Sequence, residues 1–134
     1  MMSKIGITIL FSILLKGVFA QPENDFTIGI HSIAEVNPEF PGGEKALFEF
    51  LGENTKFPAI AKDAGIQGIV YVQFVIMEDG SINPDMVEIL RGVHPALDQE
   101  AIRVIKLMPN WVPGYQRGQA VRVYYKLPFR FYLK

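Results

Sequence analysis

The sequence predicts an α+β fold: a small antiparallel three-stranded sheet with two helices packed on one face. Three features carry that expectation. Residues 68–77 are β-branched and aromatic almost throughout, as in a well-buried strand. Residues 121–133 alternate apolar and polar side chains without a break, the period of a strand with one buried and one wet face. Between them, Leu97, Ala101, Val104, Ile105 and Met108 recur at the spacing of one helix face.

Ahead of these elements stands a leader. Lys4 precedes an apolar run over residues 5–15, followed by Lys16-Gly17-Val18-Phe19-Ala20. As a helix the run spans about 16 Å at ~1.5 Å per residue, well short of a ~30 Å hydrocarbon core. Val18 and Ala20 stand three and one positions before a cut ahead of Gln21, where signal peptidase takes small or compact side chains. Residues 1–20 are therefore expected to be a cleaved secretory signal peptide, with an uncleaved membrane anchor as the alternative. Residues 21–37 form a lead-in, and residues 38–134 are the domain. The 49% hydrophobic content of the 134-residue chain is inflated by this leader.

Within the lead-in, residues 26–35 alternate loosely and are expected to form a strand. Phe40-Pro41-Gly42-Gly43 breaks the chain before a helix whose apolar face is Ala46, Leu47, Phe50 and Leu51, ended by Gly52 and Asn54. Phe57-Pro58 opens a shorter helix with Pro58 at its first position, Ala61 and Ala64 inward and Gly65 as its stop. The strand over 68–77 is mostly apolar on both faces, Val70, Val72, Phe74 and Ile76 against Ile69, Tyr71, Gln73, Val75 and Met77, so it is expected to be central. Glu78-Asp79-Gly80-Ser81 supplies turn chemistry, and a return strand over residues 82–91 completes a hairpin. The helix over 95–108 has Asp98 and Glu100 early and Arg103 and Lys106 late, which suits its dipole. Pro109 ends it, and a Pro/Gly loop follows around Trp111, the only tryptophan.

In the last strand Val121, Val123, Tyr125, Leu127, Phe129, Phe131 and Leu133 share one face, and Arg122, Tyr124, Lys126, Pro128, Arg130, Tyr132 and Lys134 the other. Pro128 cannot donate to a ladder, which places this strand at a sheet edge or a bulge. It reads as a long, basic, partly unpaired edge.

Side-chain chemistry is sparse. The absence of cysteine excludes disulfides, thiolate metal sites, a thiol nucleophile and a lipid-anchor cysteine. His31 and His94 fall in no metal-ligand spacing, and His94 with Asp98 reads as polarity at the start of a helix. Asp79, Ser81, Asn83 and Asp85 mimic the start of a calcium loop, but Pro84 stands where glycine is needed and Leu90 where glutamate is needed. No phosphate-loop or nucleophile-elbow spacing occurs. No catalytic residue, metal or cofactor is expected, and the chain is not read as an enzyme. The overall charge of −1 divides unevenly: residues 21–88 carry 12 acids and 3 lysines, residues 89–134 carry 2 acids and 8 basic groups. A basic strand with Tyr124 and Tyr132 reads as a solvated face rather than a nucleic-acid surface, given the secretory leader. An unpaired edge, by contrast, accepts an extended peptide as an added strand.

An ordered series of motifs over residues 38–134 resembles the C-terminal domain of the TonB family of energy-transducing envelope proteins. It comprises Pro38-Glu39-Phe40-Pro41-Gly42-Gly43, Phe57-Pro58 where the family usually has Tyr-Pro, Gly65-Ile66-Gln67-Gly68-Ile69-Val70-Tyr71-Val72-Gln73-Phe74 and Asp79-Gly80-Ser81. Leu97-Asp98-Gln99-Glu100-Ala101-Ile102-Arg103, Met108-Pro109-Asn110-Trp111-Val112-Pro113-Gly114, and Val121-Arg122-Val123 leading to Leu127-Pro128-Phe129 complete it. The resemblance implies a periplasmic module that binds the TonB-box peptide of outer-membrane transporters on its last strand and contributes to energy-coupled transport. The contact strand it implies is residues 119–130, with Arg122, Val123, Tyr124, Lys126, Pro128 and Arg130 toward the partner. Pro58, Gly68, Gly80, Leu97, Asp98, Arg103, Trp111, Pro113 and Gly114 would then be structural, Trp111 packing the loop between helix and strand. Inner-membrane motor proteins or peptidoglycan are further partners under this resemblance, and nucleic acid is not. Full transducers also carry a membrane-spanning anchor and a long Pro-rich spacer, which these 134 residues do not show. The expectation is a chain that binds a transporter peptide but transmits force only if another protein supplies the pull. The alternative is a structural envelope protein using the same fold to contact peptidoglycan or to form a strand-exchanged homodimer.

Overall fold

The computed structural model describes residues 30–134. The expected signal peptide, and residues 26–29 of the expected first strand, lie outside the described residues. In chain order the elements are β1 (Ile30–His31), α1 (Gly43–Asn54), α2 (Ala59–Asp63), β2 (Gly68–Ile76), β3 (Glu88–Arg91), α3 (Pro95–Lys106), β4 (Gly114–Gln116) and β5 (Gln119–Phe131).

The fold is α+β, as the sequence predicts, and its centre is one long strand pair. β2 runs antiparallel to β5 in unbroken register from Gly68↔Phe131 to Ile76↔Val123. β3 pairs with the other edge of β2, so β2 is central, as its two apolar faces require. The sheet is larger than three strands and is mixed. Its order is β1-β5-β2-β3, with β1 parallel to β5 at Ile30↔Arg122 and His31↔Val123, and β4 antiparallel to β5 at Gly114↔Val121. The reason is length: β5 runs past the end of β2, and its first residues would present bare ladder groups without β1 and β4. Strands of two and three residues carry no period of their own, so neither is visible as a pattern.

The return strand is also shorter than expected. The Asn83 side chain accepts a hydrogen bond from the Asp85 N–H at 3.0 Å and caps one 3-10 turn, Pro84–Met86, before the chain becomes extended at Glu88.

Two long helices, α1 and α3, and the short α2 complete the layer opposite the sheet. Pro58 sits at the N-cap of α2 rather than inside its first turn. α3 buries Leu97, Ala101, Val104 and Ile105, and α1 buries Leu47, against Val70, Val72, Phe74 and Ile76 of β2 and Leu127, Phe129 and Phe131 of β5. His94 caps α3, its Nδ1 accepting from the Ala96 N–H at 3.0 Å, while Asp98 Oδ1 accepts from the Val93 N–H at 3.1 Å. Both side chains thus satisfy donors at the start of a helix that would otherwise be orphaned.

Trp111 is 3% exposed and packs edge-on against Phe40, Phe74 and Tyr125, with ring centroids 5.5, 5.8 and 4.7 Å away. Its backbone N–H donates to the Gly80 carbonyl at 2.7 Å, joining the β2 hairpin turn to the loop after α3. That contact explains the glycine. At φ +88° a Cβ on residue 80 would stand 1.9 Å from the Trp111 carbonyl oxygen.

Candidate functional site

The candidate site follows from how β5 divides its two edges. In an antiparallel ladder, alternate residues turn both N–H and C=O toward the partner strand, and the residues between turn both away. The β2–β5 register continues unbroken on both sides of Tyr71↔Pro128. Pro128 has no N–H to give, so it belongs to the set facing away from β2. Tyr124, Lys126 and Arg130 share that parity. Tyr125, Leu127, Phe129 and Phe131 bond to β2 and turn their side chains inward, where Leu127, Phe129 and Phe131 are buried.

The outer edge is only partly covered. β1 takes Arg122 and Val123 there, whereas β4 pairs with residues 119–121 on the side of β5 that faces β2. Beyond them, residues 124–131 of β5 have no strand on the outer side among the described residues. The expectation of an edge strand therefore holds for the second half of β5, whereas Arg122 and Val123 are covered by β1. The bare stretch offers donors at Lys126 and Arg130 and acceptors at Lys126, Pro128 and Arg130. At its far end the Leu133 N–H is held by Gln67 Oε1 at 2.9 Å.

Between this edge and α1 runs a groove of ≈ 610 Å³, walled by Leu47, Phe48, Leu51 and Phe57 on the helical side and residues 125–132 on the strand side. Phe48 is 58% exposed and Tyr132 54%. Phe57 stacks edge-on against Phe131 with centroids 5.8 Å apart, closing the lower end. Glu44 lines the upper end beside Tyr125. Burial pushes the Tyr125 phenol above its ordinary pKa, and the Glu44 carboxylate adds to the shift, so the ring enters the site uncharged at neutral pH.

The residues expected to face a partner are thus distributed unequally. Tyr124, Lys126, Pro128 and Arg130 lie along the bare edge. Val123 is buried and pairs with His31 of β1, and the Arg122 guanidinium donates to Glu78 Oε1 at 3.1 Å. Lys126 and Arg130 are exposed and have no ion-pair partner among the described residues.

The residues expected to be structural lie away from the groove. Gly68 opens β2 opposite Phe131. Leu97 is fully buried. Arg103 donates to both Glu100 oxygens at 2.8 and 2.7 Å and to the Asn54 carbonyl at 2.8 Å, tying α3 to the end of α1. Pro113 precedes β4, and a Cβ on Gly114 would stand 2.7 Å from Val123 Cγ2.

Sequence reasoning missed Phe48 and the whole α1 wall. The available signal was that Phe48 is a large aromatic off the stripe formed by Ala46, Leu47, Phe50 and Leu51. Among the described residues no three His, Asp or Glu side chains are placed to hold a metal ion, and no helix is long and apolar enough to cross a membrane.

A sheet flanked on one face by helices, ending in a long strand with a bare edge, matches a known family. Residues 53–133 match the family described as Gram-negative bacterial TonB protein C-terminal. The chain belongs to the TonB C-terminal family. The solution structure of the Helicobacter pylori TonB C-terminal domain superposes with a TM-score of 0.50 at 24% identity, over 66% of this chain and 78% of that one. A shorter solution structure of the same Helicobacter pylori domain gives a TM-score of 0.44 at 21% identity, over 63% of this chain and 89% of that one. No curated protein matches the chain. The TonB C-terminal family is a family of protein-interaction domains associated with the cell envelope.

Proposed function

We propose that this chain is a periplasmic TonB-type module that binds the TonB-box peptide of an outer-membrane transporter by strand addition and so contributes to energy-coupled transport across the outer membrane. The bare outer edge of β5 over residues 124–131 carries this reading. A row of ladder groups left open, with a groove at its side, is the geometry of peptide recognition by β-augmentation. Family membership supports the choice of partner. Each main-chain bond nets about 0.5–1.5 kcal/mol, so a short peptide binds weakly to moderately. Such binding suits a contact that must form and release.

The test is titration of the isotope-labelled protein with a TonB-box peptide, followed by amide chemical shifts. The expected result is saturable movement over residues 124–131 and the α1 wall around Phe48. Unchanged amides there, at peptide concentrations that saturate a TonB domain of a full transducer, contradict the proposal. Retention by purified sacculi, or concentration-dependent dimerisation, without peptide binding supports the structural-envelope alternative instead. Periplasmic localisation is tested by fractionation and by mass spectrometry of the mature N-terminus, where Gln21 is the expected first residue.

A further inference from the structure

The two faces of the bare edge differ in chemistry, and that difference specifies the peptide. Side chains directly opposite one another on neighbouring strands lie on the same face of the sheet, whichever direction the new strand runs. A residue of the incoming strand opposite Leu127 or Phe129 therefore points toward the helical layer. There it meets the groove wall formed by Leu47, Phe48 and Leu51. A residue opposite Lys126 or Arg130 points to the open face of the sheet, beside two exposed cations with no ion-pair partner among the described residues.

We infer that the edge selects an extended peptide of one parity: bulky apolar side chains at alternate positions, turned into the α1 groove, with carboxylate side chains at the positions between them. This rests on the strand-addition reading above and deepens it. Charge complementarity with Lys126 and Arg130 sets the acidic positions. The other charges on the open face do not cancel these two. Arg91 stands across Tyr71 from Pro128, Arg122 is already paired with Glu78, and Glu88 lies across Gln73 from Lys126. On the groove side the only charged side chain on the α1 wall is Glu44. A carboxylate turned inward would meet that acid and an apolar wall without a donor, so the opposite parity is penalised twice. Pro128 adds a positional mark. Opposite it the edge supplies an acceptor but no donor, so the peptide carbonyl there stays free to bind water.

Three seven-residue peptides, the first two of identical composition, test this. One alternates Val/Phe with Glu, one places the same residues in blocks, and one replaces Glu by Lys in the alternating order. Binding is read by amide shifts of the labelled protein at residues 124–131. The alternating acidic peptide is expected to bind at least about tenfold tighter than the Lys peptide, and tighter than the blocked one, with the preference weakening as salt rises. Lys126→Glu/Arg130→Glu should reverse the order of the Glu and Lys peptides, and Phe48→Ser should weaken the alternating acidic peptide while leaving the charge preference intact. Equal affinities for all three peptides with shifts confined to the edge overturn the parity inference and leave strand addition standing. No edge shifts with any peptide, or with a TonB-box peptide, overturn both.

Discussion

Replacing Lys126 with proline separates the two edges of β5 in a single experiment. Residue 126 has the parity of Pro128, which the chain already accommodates within the strand, so its N–H points away from β2. Lys126→Pro should keep the β2–β5 ladder whole and fold with a loss of about 1 kcal/mol or less, while deleting one of the two donors that the bare stretch presents beyond Tyr124. The loss of one main-chain bond, about 0.5–1.5 kcal/mol, weakens peptide binding by roughly 2- to 12-fold. Lys126→Gln, which removes the charge and keeps the N–H, isolates that part from electrostatics. Proline one residue along has the opposite consequence. Leu127→Pro withdraws an N–H from the pair with Val72, strands a buried carbonyl on β2 and removes a core side chain, at a cost of roughly 3 kcal/mol or more. Leu127→Ala gives the side-chain part alone. Urea denaturation measures the stabilities and amide-shift titration the affinities. If Lys126→Pro unfolds the domain while Leu127→Pro leaves it folded, the assigned parity is reversed and the bare edge as described does not exist.

Other expectations concern what holds this edge in place. Gly80→Ala should destabilise the domain by roughly 2–4 kcal/mol in urea, because the new methyl collides with the Trp111 carbonyl at a positive φ. Leu97→Ala should cost about 2–5 kcal/mol from a fully buried site, read the same way. Burial pushes the Glu100 carboxyl up, but hydrogen bonds from Arg103 and the Lys56 N–H and the nearby positive charges more than offset this and leave its pKa below the ordinary value. The folded state therefore gains stability from ionised Glu100 at pH above the ordinary glutamate value of about 4.3, and loses it as pH falls through the depressed folded value. The stability difference between wild type and Glu100→Gln should be full at pH 7 and shrink as pH drops below about 4.

Elements with a long internal period were legible from the sequence to within about two residues at each end. β2 begins at Gly68, α3 begins at Pro95, and β5 covers the alternating stretch, because each buries a face of its own. The elements without a period were not. β1 is a two-residue parallel partner for a segment some ninety positions later, and β4 is fixed by the turn before β5. The return strand is shorter than its sequence suggests because the Asn83 side-chain cap turns an extended-looking Asn83-Pro84 into one 3-10 turn. The site was half legible. Pro128 and the basic outer face pointed to an edge, but where the bare part of β5 begins depends on β1. The groove depends on how far α1 stands from β5, a tertiary distance that no local pattern encodes.

The central claim is that residues 124–131 present ladder groups to a peptide strand, and amide hydrogen exchange tests it most directly. In the free protein the N–H groups of Lys126 and Arg130 should exchange quickly while those of Leu127 and Phe129, bonded to β2, are protected. Saturation with a TonB-box peptide should slow Lys126 and Arg130 selectively and leave their neighbours as they were. Protection of Lys126 and Arg130 before any peptide is added, or no change in them at saturation, would contradict the account.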